Sequence, residues 1–268
     1  MNPKSKESSR HIDVVLRALD ILDCFQQKSE LTLKEIIDHT GLTRSRAMRL
    51  LGTLESRGYL MIDYRNHKYL LGVKTGILGN AFEQTNPMEV IIRPVLKELA
   101  GRTGESATFY VIDNKDRLVF AREEGTHAIR YSVREGQRMP LHAGASGKVL
   151  LAYGPAELLS DILSTEQLSA ITVHTITDPE ILRQEIEAVR KRGYALSKSE
   201  NVPDANAIAA PVIDHSGKLV GSLGIAAPVH RLNDQNFVER AKIVMDASAG
   251  LSRQFGCVDE PPFHGTLG

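Results

Sequence analysis

Residues 42–60 read LTRSRAMRLLGTLESRGYL, and they decide how the N-terminal part of the chain is interpreted. Apolar residues at positions 47, 50, 51 and 54 follow the i, i+3, i+4, i+7 spacing of an amphipathic helix. Three arginines, Arg44, Arg46 and Arg49, lie at the start of the same stretch. The pattern predicts a helix that buries one face and presents positive charge on the other. That second face is either an ordinary solvated surface or a surface that meets an anion.

The residues before and after this helix carry signals for helix boundaries. Thr32 and Glu35 have the spacing of a capping box, which predicts a first short helix directly after Thr32. Gly41 is suited to end that helix, and Thr43 is suited to begin the second helix as its N-cap. The second helix should end near Gly58. Two short helices joined by a tight glycine turn form a helix-turn-helix unit.

A preceding helix and a following hairpin complete the predicted N-terminal domain. Residues 12–26 have apolar positions at helical spacing. Residues 59–63 and 68–71 are predicted strands with a polar turn between them. A helix-turn-helix unit with such a hairpin is the winged form, and the wing would carry Arg65 and Lys68.

Positive charge is concentrated in the N-terminal part of the chain. The whole sequence has 33 Lys and Arg against 33 Asp and Glu. Residues 1–74 have 13 basic and 9 acidic residues, a net of +4, and the remainder has 20 against 24, a net of −4. A basic first part joined to an acidic second part indicates that only the first part meets a polyanion.

The predicted basic surface has the chemistry of a DNA-binding domain. A recognition helix enters the major groove with its first turns, where arginine can pair with guanine. Helix N-termini and hydroxyl groups near them can hold phosphates. We therefore expect contacts with double-stranded DNA from Thr32, Thr43, Arg44, Ser45, Arg46, Arg49, Arg65 and Lys68.

The remainder of the chain alternates β-rich and helical segments. Strands are predicted at 106–113, 117–123, 129–133, 195–201, 207–213 and 218–227. Helices are predicted at 88–100, 146–153, 156–163, 179–193 and 233–255. Strands separated by turns favour an antiparallel sheet, so the predicted fold class is α+β. The predicted divisions are a winged helix-turn-helix domain at 12–73, a linker helix at 74–90 and a second domain at 91–258.

Several kinds of site are disfavoured by the sequence. Cys24 and Cys257 are far apart, which argues against a disulfide framework or a cysteine zinc site. The histidines show no HExxH motif, and residues 144–148 (GASGK) match neither a phosphate loop nor a nucleophile elbow. The polar N-terminus is not a signal peptide, and no run of about 18 apolar residues occurs. We therefore expect a cytoplasmic protein with no membrane span, catalytic residue, metal or cofactor.

From about residue 12 to residue 258 the chain resembles the IclR family of bacterial transcriptional regulators. The resemblance is carried, in this order, by VLRALDILDCF, LTLKEIIDHTGLTRSRAMRLLGTLESRGYL, REGQRMPLHAGASGKVLLAY, RGYALSKSENVPDANAIAAPV and GKLVGSLGIAAP. It implies an N-terminal winged domain, a linker helix and a C-terminal, GAF-like effector-binding domain. It also implies homodimers, often dimers of dimers, that bind palindromic operators and either repress or activate transcription.

The resemblance further implies an effector pocket in the C-terminal domain. Its expected contacts are Ala145, Ser146, Ser197, Ala207, Gly224 and Ala226. Family members that take small keto acids tend to place Asp, Cys and Ser at the last four of these positions. The smaller residues here predict a roomier and less polar pocket. The expected effector is therefore an organic acid larger than glyoxylate or pyruvate, and an aromatic acid fits this description.

The turn 144–147 is expected to form the roof of this pocket. A helix predicted to open at Gly147 would direct its first backbone amides towards a ligand carboxylate. His142 lies just before the turn and is interpreted as a structural histidine rather than a ligand contact.

Three functions remain compatible with these patterns. The first is a ligand-responsive DNA-binding regulator. The second is an enzyme whose C-terminal domain acts on a small acid while the N-terminal domain localises it. The third is an architectural DNA-binding protein without an effector. The regulator is favoured because no nucleophile, base or metal constellation is evident in the sequence.

Overall fold

The structure is a computed structural model that describes residues 11–26, 28–84, 87–128, 133–164 and 168–258. The chain divides into two compact units, Met1–Pro87 and Met88–Gly268. This division lies within the predicted linker segment 74–90, whose bounds remain a prediction. Among the described residues, no helix is long and apolar enough to cross a membrane.

The first unit has the predicted winged helix-turn-helix architecture. Its elements are α1 (Asp13–Asp23), β1 (Glu30–Thr32), α2 (Leu33–Thr40), α3 (Arg44–Ser56), β2 (Leu60–Asp63), β3 (Lys68–Leu71) and α4 (Val73–Gln84), with a short 3-10 turn at Cys24–Gln26. The strands form an antiparallel sheet in the order β1-β3-β2. The strand β1 was not predicted, because a three-residue segment shows no clear alternation in the sequence.

The predicted helix boundaries of this unit are confirmed. The Thr32 hydroxyl accepts a hydrogen bond from the Glu35 backbone and the Glu35 carboxylate accepts one from the Thr32 backbone, which completes the capping box. Gly41 ends α2 with a φ of 66°, a left-handed conformation that glycine adopts without strain. The Thr43 hydroxyl caps α3 by accepting from the backbone of Arg46.

The core of the first unit lies between the three helices and the sheet. The apolar residues of α3 at positions 47, 50, 51 and 54 are buried, as their spacing predicted. They pack in one cluster with Ile21 of α1, Ile36 of α2 and Tyr69 of β3. The opposite face of α3 is consequently left on the surface.

The second unit is an antiparallel sheet with helices on both faces. Its elements are α5 (Pro87–Thr103), β4 (Ser106–Asp113), β5 (Asp116–Glu123), β6 (Arg138–Pro140), α6 (Ala145–Tyr153), α7 (Ala156–Leu163), α8 (Pro179–Arg192), β7 (Ala195–Lys198), β8 (Ala205–Ile213), β9 (Leu219–Pro228) and α9 (Phe237–Gln254). The strand order is β6-β5-β4-β9-β8-β7. Of the predicted strand 129–133, residues 129–132 lie outside the described residues. The α+β fold class is confirmed.

Alternation along β9 separates the two faces of this sheet. Leu223 and Ile225 pack in a cluster with α5 and α9. The neighbouring positions Gly224 and Ala226 point to the other face, because successive residues of a strand alternate. On that side Tyr110, Val149 and residues of α8 form a second cluster. The predicted pocket positions of β9 therefore face α6 rather than the core beneath α5 and α9.

The start of α6 corrects one prediction. The helix begins at Ala145, after Gly144 with a φ of 85°, and not at Gly147. A Cβ on Gly147 would lie 2.1 Å from the backbone oxygen of Leu141. A residue without a Cβ is therefore required at position 147, because the backbone of Leu141 lies against the first turn of α6. Gly147 does not mark the start of the helix.

Candidate DNA-binding surface and effector pocket

The structure brings the predicted recognition residues together on one surface. Arg44, Ser45, Arg46 and Arg49 are all exposed and lie in the first two turns of α3. Thr43 is exposed at the N-terminal end of the same helix. The α3 surface, defined by these five residues, therefore combines positive charge with a helix N-terminus, which suits phosphate and base contacts.

Arg46 is held by an acidic residue of α1. Its guanidinium donates a hydrogen bond to the carboxylate of Asp13, and Arg17 also lies 3.3 Å from that carboxylate. The hydrogen bond from Arg46 lowers the pKa of the Asp13 carboxyl. Because both Asp13 and Arg46 are exposed, the pair contributes little to stability, and a DNA contact by Arg46 would compete with it.

Thr32 is less suited to DNA than its place in the sequence suggested. Its hydroxyl lies 2.8 Å from the Glu35 carboxylate, to which it donates. The backbone N–H of Thr32, Lys28 and that hydroxyl together lower the pKa of Glu35 to about 2. The Thr32 hydroxyl, which would donate to a phosphate, therefore already donates to the negatively charged Glu35 carboxylate. A phosphate contact would have to break that hydrogen bond.

The wing places its two basic residues in different environments. Arg65 is exposed in the turn between β2 and β3, where His67 has a φ of 55°. Lys68 begins β3, and its ammonium binds the carboxylate of Glu30 on the adjacent strand β1. This hydrogen bond raises the pKa of Lys68. The positive charge of Lys68 is thus compensated within the domain, which the sequence did not reveal because β1 was not predicted.

All six predicted effector positions line one cavity of the second unit. The cavity lies between the α6 side of the sheet and the first turn of α6, and its predicted lining residues are Ala145, Ser146, Ser197, Ala207, Gly224 and Ala226. They come from four separate elements: α6, β7, β8 and β9. Their roles as effector contacts remain predictions, but the structure assembles them at one place.

The cavity has further lining residues, of which only Gly144 was expected from the sequence, as part of the turn 144–147. They are Thr108, Tyr110, Arg117, Gly144, Asn201, Val202, Ala205, Asn206 and Ile225. Those on β4 and β5 are brought in by the strand order β5-β4-β9, which has no local sequence signal. The ring of Tyr110 and the guanidinium of Arg117 therefore line the cavity together with the small residues. These two side chains add polar groups that the small residues do not have.

The open space in the cavity is small. The cavity volume is about 40 Å³, which is room for roughly three waters. Bulky Tyr110 and Arg117 share the wall with the small residues. An acid with a ring can enter only if part of the lining moves outwards.

Arg117 is the most unusual of these residues, since its side chain is charged and only 3% exposed. Its guanidinium donates a hydrogen bond to the backbone oxygen of Ala143 and lies over the ring of Tyr110, with its central carbon 5.3 Å from the ring centre. A guanidinium over an aromatic face is a favourable cation–π arrangement. These contacts fix Arg117 beneath the residues that lead into α6.

A buried ion pair supports the same turn from the other side. The Glu200 carboxylate accepts from the backbone N–H of Gly144 at 3.0 Å and from the Lys148 ammonium at 2.6 Å. Lys148 is 2% exposed and also lies 3.3 Å from Glu185 of α8. The Gly144 amide is therefore occupied by protein, and the amides left for a ligand at the start of α6 are those of residues 145–147.

His142 has the structural role that was predicted for it. Its Nε2 forms a 2.9 Å hydrogen bond with the backbone oxygen of Ser169, and the side chain is buried. His142 is not among the residues that line the cavity. The hydrogen bond ties the segment before α6 to the segment before α8.

Two family models match the chain, one for each unit. The model described as the IclR helix-turn-helix domain matches residues 14–62. The model described as the bacterial transcriptional regulator IclR C-terminal matches residues 83–253.

Similar proteins are regulators of transcription. HTH-type transcriptional regulator BhcR of Paracoccus denitrificans is 34% identical over 247 residues, which cover 92% of this chain and 88% of the relative. A crystal structure described as an IclR transcriptional regulator from a Silicibacter species has a TM-score of 0.85 at 25% identity, over 93% of this chain and 98% of that one. An IclR homologue from Microbacterium hydrocarbonoxydans, crystallised with 4-hydroxybenzoate, shares the fold with a TM-score of 0.59 at 22% identity, over 91% and 99%.

These relatives favour one of the three functions left open by the sequence. They are named as transcriptional regulators over nearly the whole length of the chain, so the interpretation as a regulator rather than an enzyme is confirmed. Taken with the matches to both units, they show that the chain belongs to the IclR family of bacterial transcriptional regulators.

Proposed function

We propose that this regulator binds a palindromic operator as a homodimer and that a small organic acid in the α6 cavity changes its operator affinity or its activity. The observation that carries the proposal is the cavity, in which residues of four predicted elements meet beneath the start of α6. The α3 surface supplies the DNA contact. An architectural DNA-binding protein would have no use for such a cavity.

An exposed apolar stripe on α1 supports the homodimer. Ile12, Val15, Leu16 and Leu19 recur at helical spacing and are between 43% and 70% exposed. Contiguous apolar surface of this kind marks a protein–protein interface. A second copy of the chain related by a two-fold axis would cover the stripe and present a second α3 surface. Two-fold symmetry in the protein is matched by palindromy in the operator.

The chemistry of the cavity supports an organic acid with an apolar body. Ala207, Gly224 and Ala226 form an apolar floor, while a buried arginine and the start of a helix provide positive potential. The homologue from Microbacterium was crystallised with 4-hydroxybenzoate, an acid of this type. We infer that aromatic monocarboxylic acids are the class to which the cavity responds after its lining opens.

Ligand binding is expected to raise the melting temperature of the full-length protein. A ligand present at 100 times its dissociation constant stabilises the folded state by about 2.7 kcal/mol. A thermal melting screen should compare aromatic monocarboxylic acids, dicarboxylic acids and keto acids, with operator binding measured in parallel. The strongest shift is expected from an aromatic acid, and the same acid should change operator affinity. If pyruvate or glyoxylate gave the strongest shift and aromatic acids gave none, the proposed ligand class would be wrong.

A pocket-filling variant makes this screen specific to the cavity. Ala226→Phe should abolish the shift, because its ring would occupy the cavity above the floor. Gly224 is unsuitable for the purpose, since a Cβ there would lie 2.5 Å from the backbone oxygen of Ile208 and disturb the sheet. Val173→Phe is the matched control, because position 173 is exposed and away from the cavity. An unchanged shift in a folded Ala226→Phe protein would place the ligand elsewhere, and consumption of the acid would indicate an enzyme.

The wing is expected to contribute to the salt dependence of DNA binding without reading bases. Each neutralised phosphate adds a slope of about −0.9 to a plot of log affinity against log salt. Arg65→Gln should flatten the slope by up to about this amount, and Lys68→Gln should flatten it less because Glu30 already compensates that charge. Affinities for operator and for unrelated DNA should fall alike in fluorescence anisotropy titrations. An altered sequence preference with an unchanged slope would show that the wing reads bases.

A further inference from the structure

Arg117 gives the cavity wall a permanent positive charge. Among the described residues that line the cavity, it is the only one with a formally charged side chain. A guanidinium is not deprotonated in proteins, and its hydrogen bonds to a carboxylate are charge-assisted and stronger than those to a neutral group. A ligand that brings a negative charge to this wall is therefore bound more favourably than a neutral ligand of the same shape.

The turn before α6 is shaped to hold this guanidinium against the cavity. A Cβ on Gly144 would lie 3.0 Å from Nη1 and 3.1 Å from Nη2 of Arg117, and a Cβ on Gly147 would lie 2.8 Å from Nη1. Side chains at these two positions would push the guanidinium away. The residues GASG at 144–147 thus allow an arginine from β5 to lie beside the first turn of α6.

Two sources of positive potential meet at this end of the cavity. The first turn of a helix has backbone N–H groups without intrahelical acceptors and the positive end of the helix dipole. At α6 this turn includes Ala145 and Ser146, which line the cavity together with Arg117. A carboxylate placed here would receive charge-assisted hydrogen bonds, which are about twice as strong as neutral ones.

The rest of the lining determines where the body of the ligand lies. Arg117 is over the Tyr110 ring of β4, and the next strands in the sheet are β9 and β8. These strands contribute Gly224, Ala226 and Ala207 to the cavity floor. With neighbouring strands about 4.8 Å apart, an apolar group attached to a carboxylate near Arg117 extends along the sheet towards these three residues.

We propose that Arg117 binds the carboxylate of the effector and determines the selectivity of the cavity for acids over neutral analogues. The proposal rests on the proposed function in one respect, that the cavity takes an aromatic acid. It adds a residue that was absent from the predicted effector contacts. It also assigns an orientation, with the carboxylate beside Arg117 and the apolar body over Ala226.

The test compares an acid with its neutral amide on the full-length protein. Calorimetric titrations of 4-hydroxybenzoate and 4-hydroxybenzamide into the wild-type protein should show a preference for the acid. Arg117→Gln should weaken binding of the acid by about 10- to 100-fold, while the amide should change far less. The ratio of the two affinities is the readout, because a variant that merely damages the cavity weakens both ligands together.

Two further variants control for charge and for folding. Arg138→Gln removes an exposed charge from the neighbouring strand β6, where Arg138 pairs with Asp113, and should leave the acid-to-amide ratio unchanged. Arg117→Lys keeps the charge but loses the planar fork of donors, so its ratio should lie between those of wild type and Arg117→Gln. If Arg117→Gln does not fold, the ratio in Arg117→Lys provides the test.

The outcomes separate this proposal from the proposed function. If wild type binds the acid and both Arg117 variants keep the wild-type ratio, Arg117 does not bind the carboxylate, although the cavity still takes an acid. Equal loss of acid and amide in both variants also overturns the proposal, since it shows a structural role. If wild type binds neither compound, the aromatic-acid class is wrong and the proposal fails with it.

Discussion

Lys148→Met is expected to lower the free energy of unfolding of the second unit by about 3–5 kcal/mol. Lys148 is almost fully buried and its ammonium lies 2.6 Å from Glu200. Without the Lys148 ammonium, the buried Glu200 carboxylate keeps the Gly144 amide as a partner but loses the positive charge that compensates it. The loss should appear as a lower urea midpoint in unfolding followed by circular dichroism on the full-length protein.

Two comparisons show whether the loss comes from an uncompensated buried charge. Glu200→Gln in the Lys148→Met background removes that charge, so the double variant should be more stable than Lys148→Met alone. Lys115→Met breaks the exposed pair of Lys115 with Asp161 and should cost no more than about 1 kcal/mol. A Lys148→Met protein that unfolds at the wild-type urea concentration would mean that the ion pair adds no net stability.

The double substitution Arg46→Ala with Arg49→Ala is expected to abolish tight operator binding while the domain stays folded. Each arginine that reads a base contributes about 1–3 kcal/mol to binding, and loss of a phosphate contact weakens binding to every sequence. Both residues are exposed and outside the apolar cluster, so the melting temperature should change little. Anisotropy titrations at several salt concentrations, with operator and unrelated DNA, measure the loss and its sequence dependence.

Two arginine substitutions in the second unit test whether the loss of operator binding comes only from the change in net charge. Arg102 and Arg183 are exposed and each pairs with a glutamate of its own helix. Replacing both by alanine also removes two positive charges but leaves the α3 surface unchanged, so operator affinity should stay close to that of the wild type. Full-strength operator binding by the folded Arg46, Arg49 double variant would show that α3 is not the recognition helix.

The pair of Arg46 with Asp13 makes the two arginines distinguishable. In the absence of DNA, Asp13 already holds Arg46, so part of the gain from a DNA contact is offset by loss of that pair. Arg49 is exposed on the same side of α3, and no ion pair with Asp13 is present for it among the described residues. The single substitution Arg49→Ala should therefore weaken binding at least as much as Arg46→Ala if both read bases.

The sequence by itself determined the first unit almost completely. Its signals are local: Thr32 and Glu35 cap α2, Gly41 ends it, Thr43 begins α3, and the apolar positions of α3 lie within one helix. Interactions between residues three or four positions apart depend on helix geometry alone. The exceptions are β1 and the pairing of Lys68 with Glu30, which depend on a strand from another part of the domain.

The sequence also identified part of the effector cavity, but through resemblance to a family rather than through local physics. All six positions expected on that basis line the cavity. The small-residue turn itself placed the start of α6 at Gly147. The small residues at the pocket positions predicted a space roomier and less polar than in family members that take small keto acids. The expected helix start is wrong, because α6 begins at Ala145. Gly147 lies against the backbone of Leu141 and the side chain of Arg117, and no feature of residues 144–148 shows what packs against them. The comparison of the cavity with those of keto-acid-binding members stays a prediction.

The tertiary structure alone decided the chemistry of the cavity wall. Arg117 is an ordinary charged residue in a β-rich segment until the strand order places it between Tyr110 and the start of α6. Lys148 follows a glycine in a helix and becomes a buried cation only because Glu200 comes from a distant loop. Partners so far apart in the chain meet through sheet order and packing, which local spacing does not encode. Helix caps are decided between neighbouring residues, whereas the charge and shape of a cavity are decided by segments that meet only after folding.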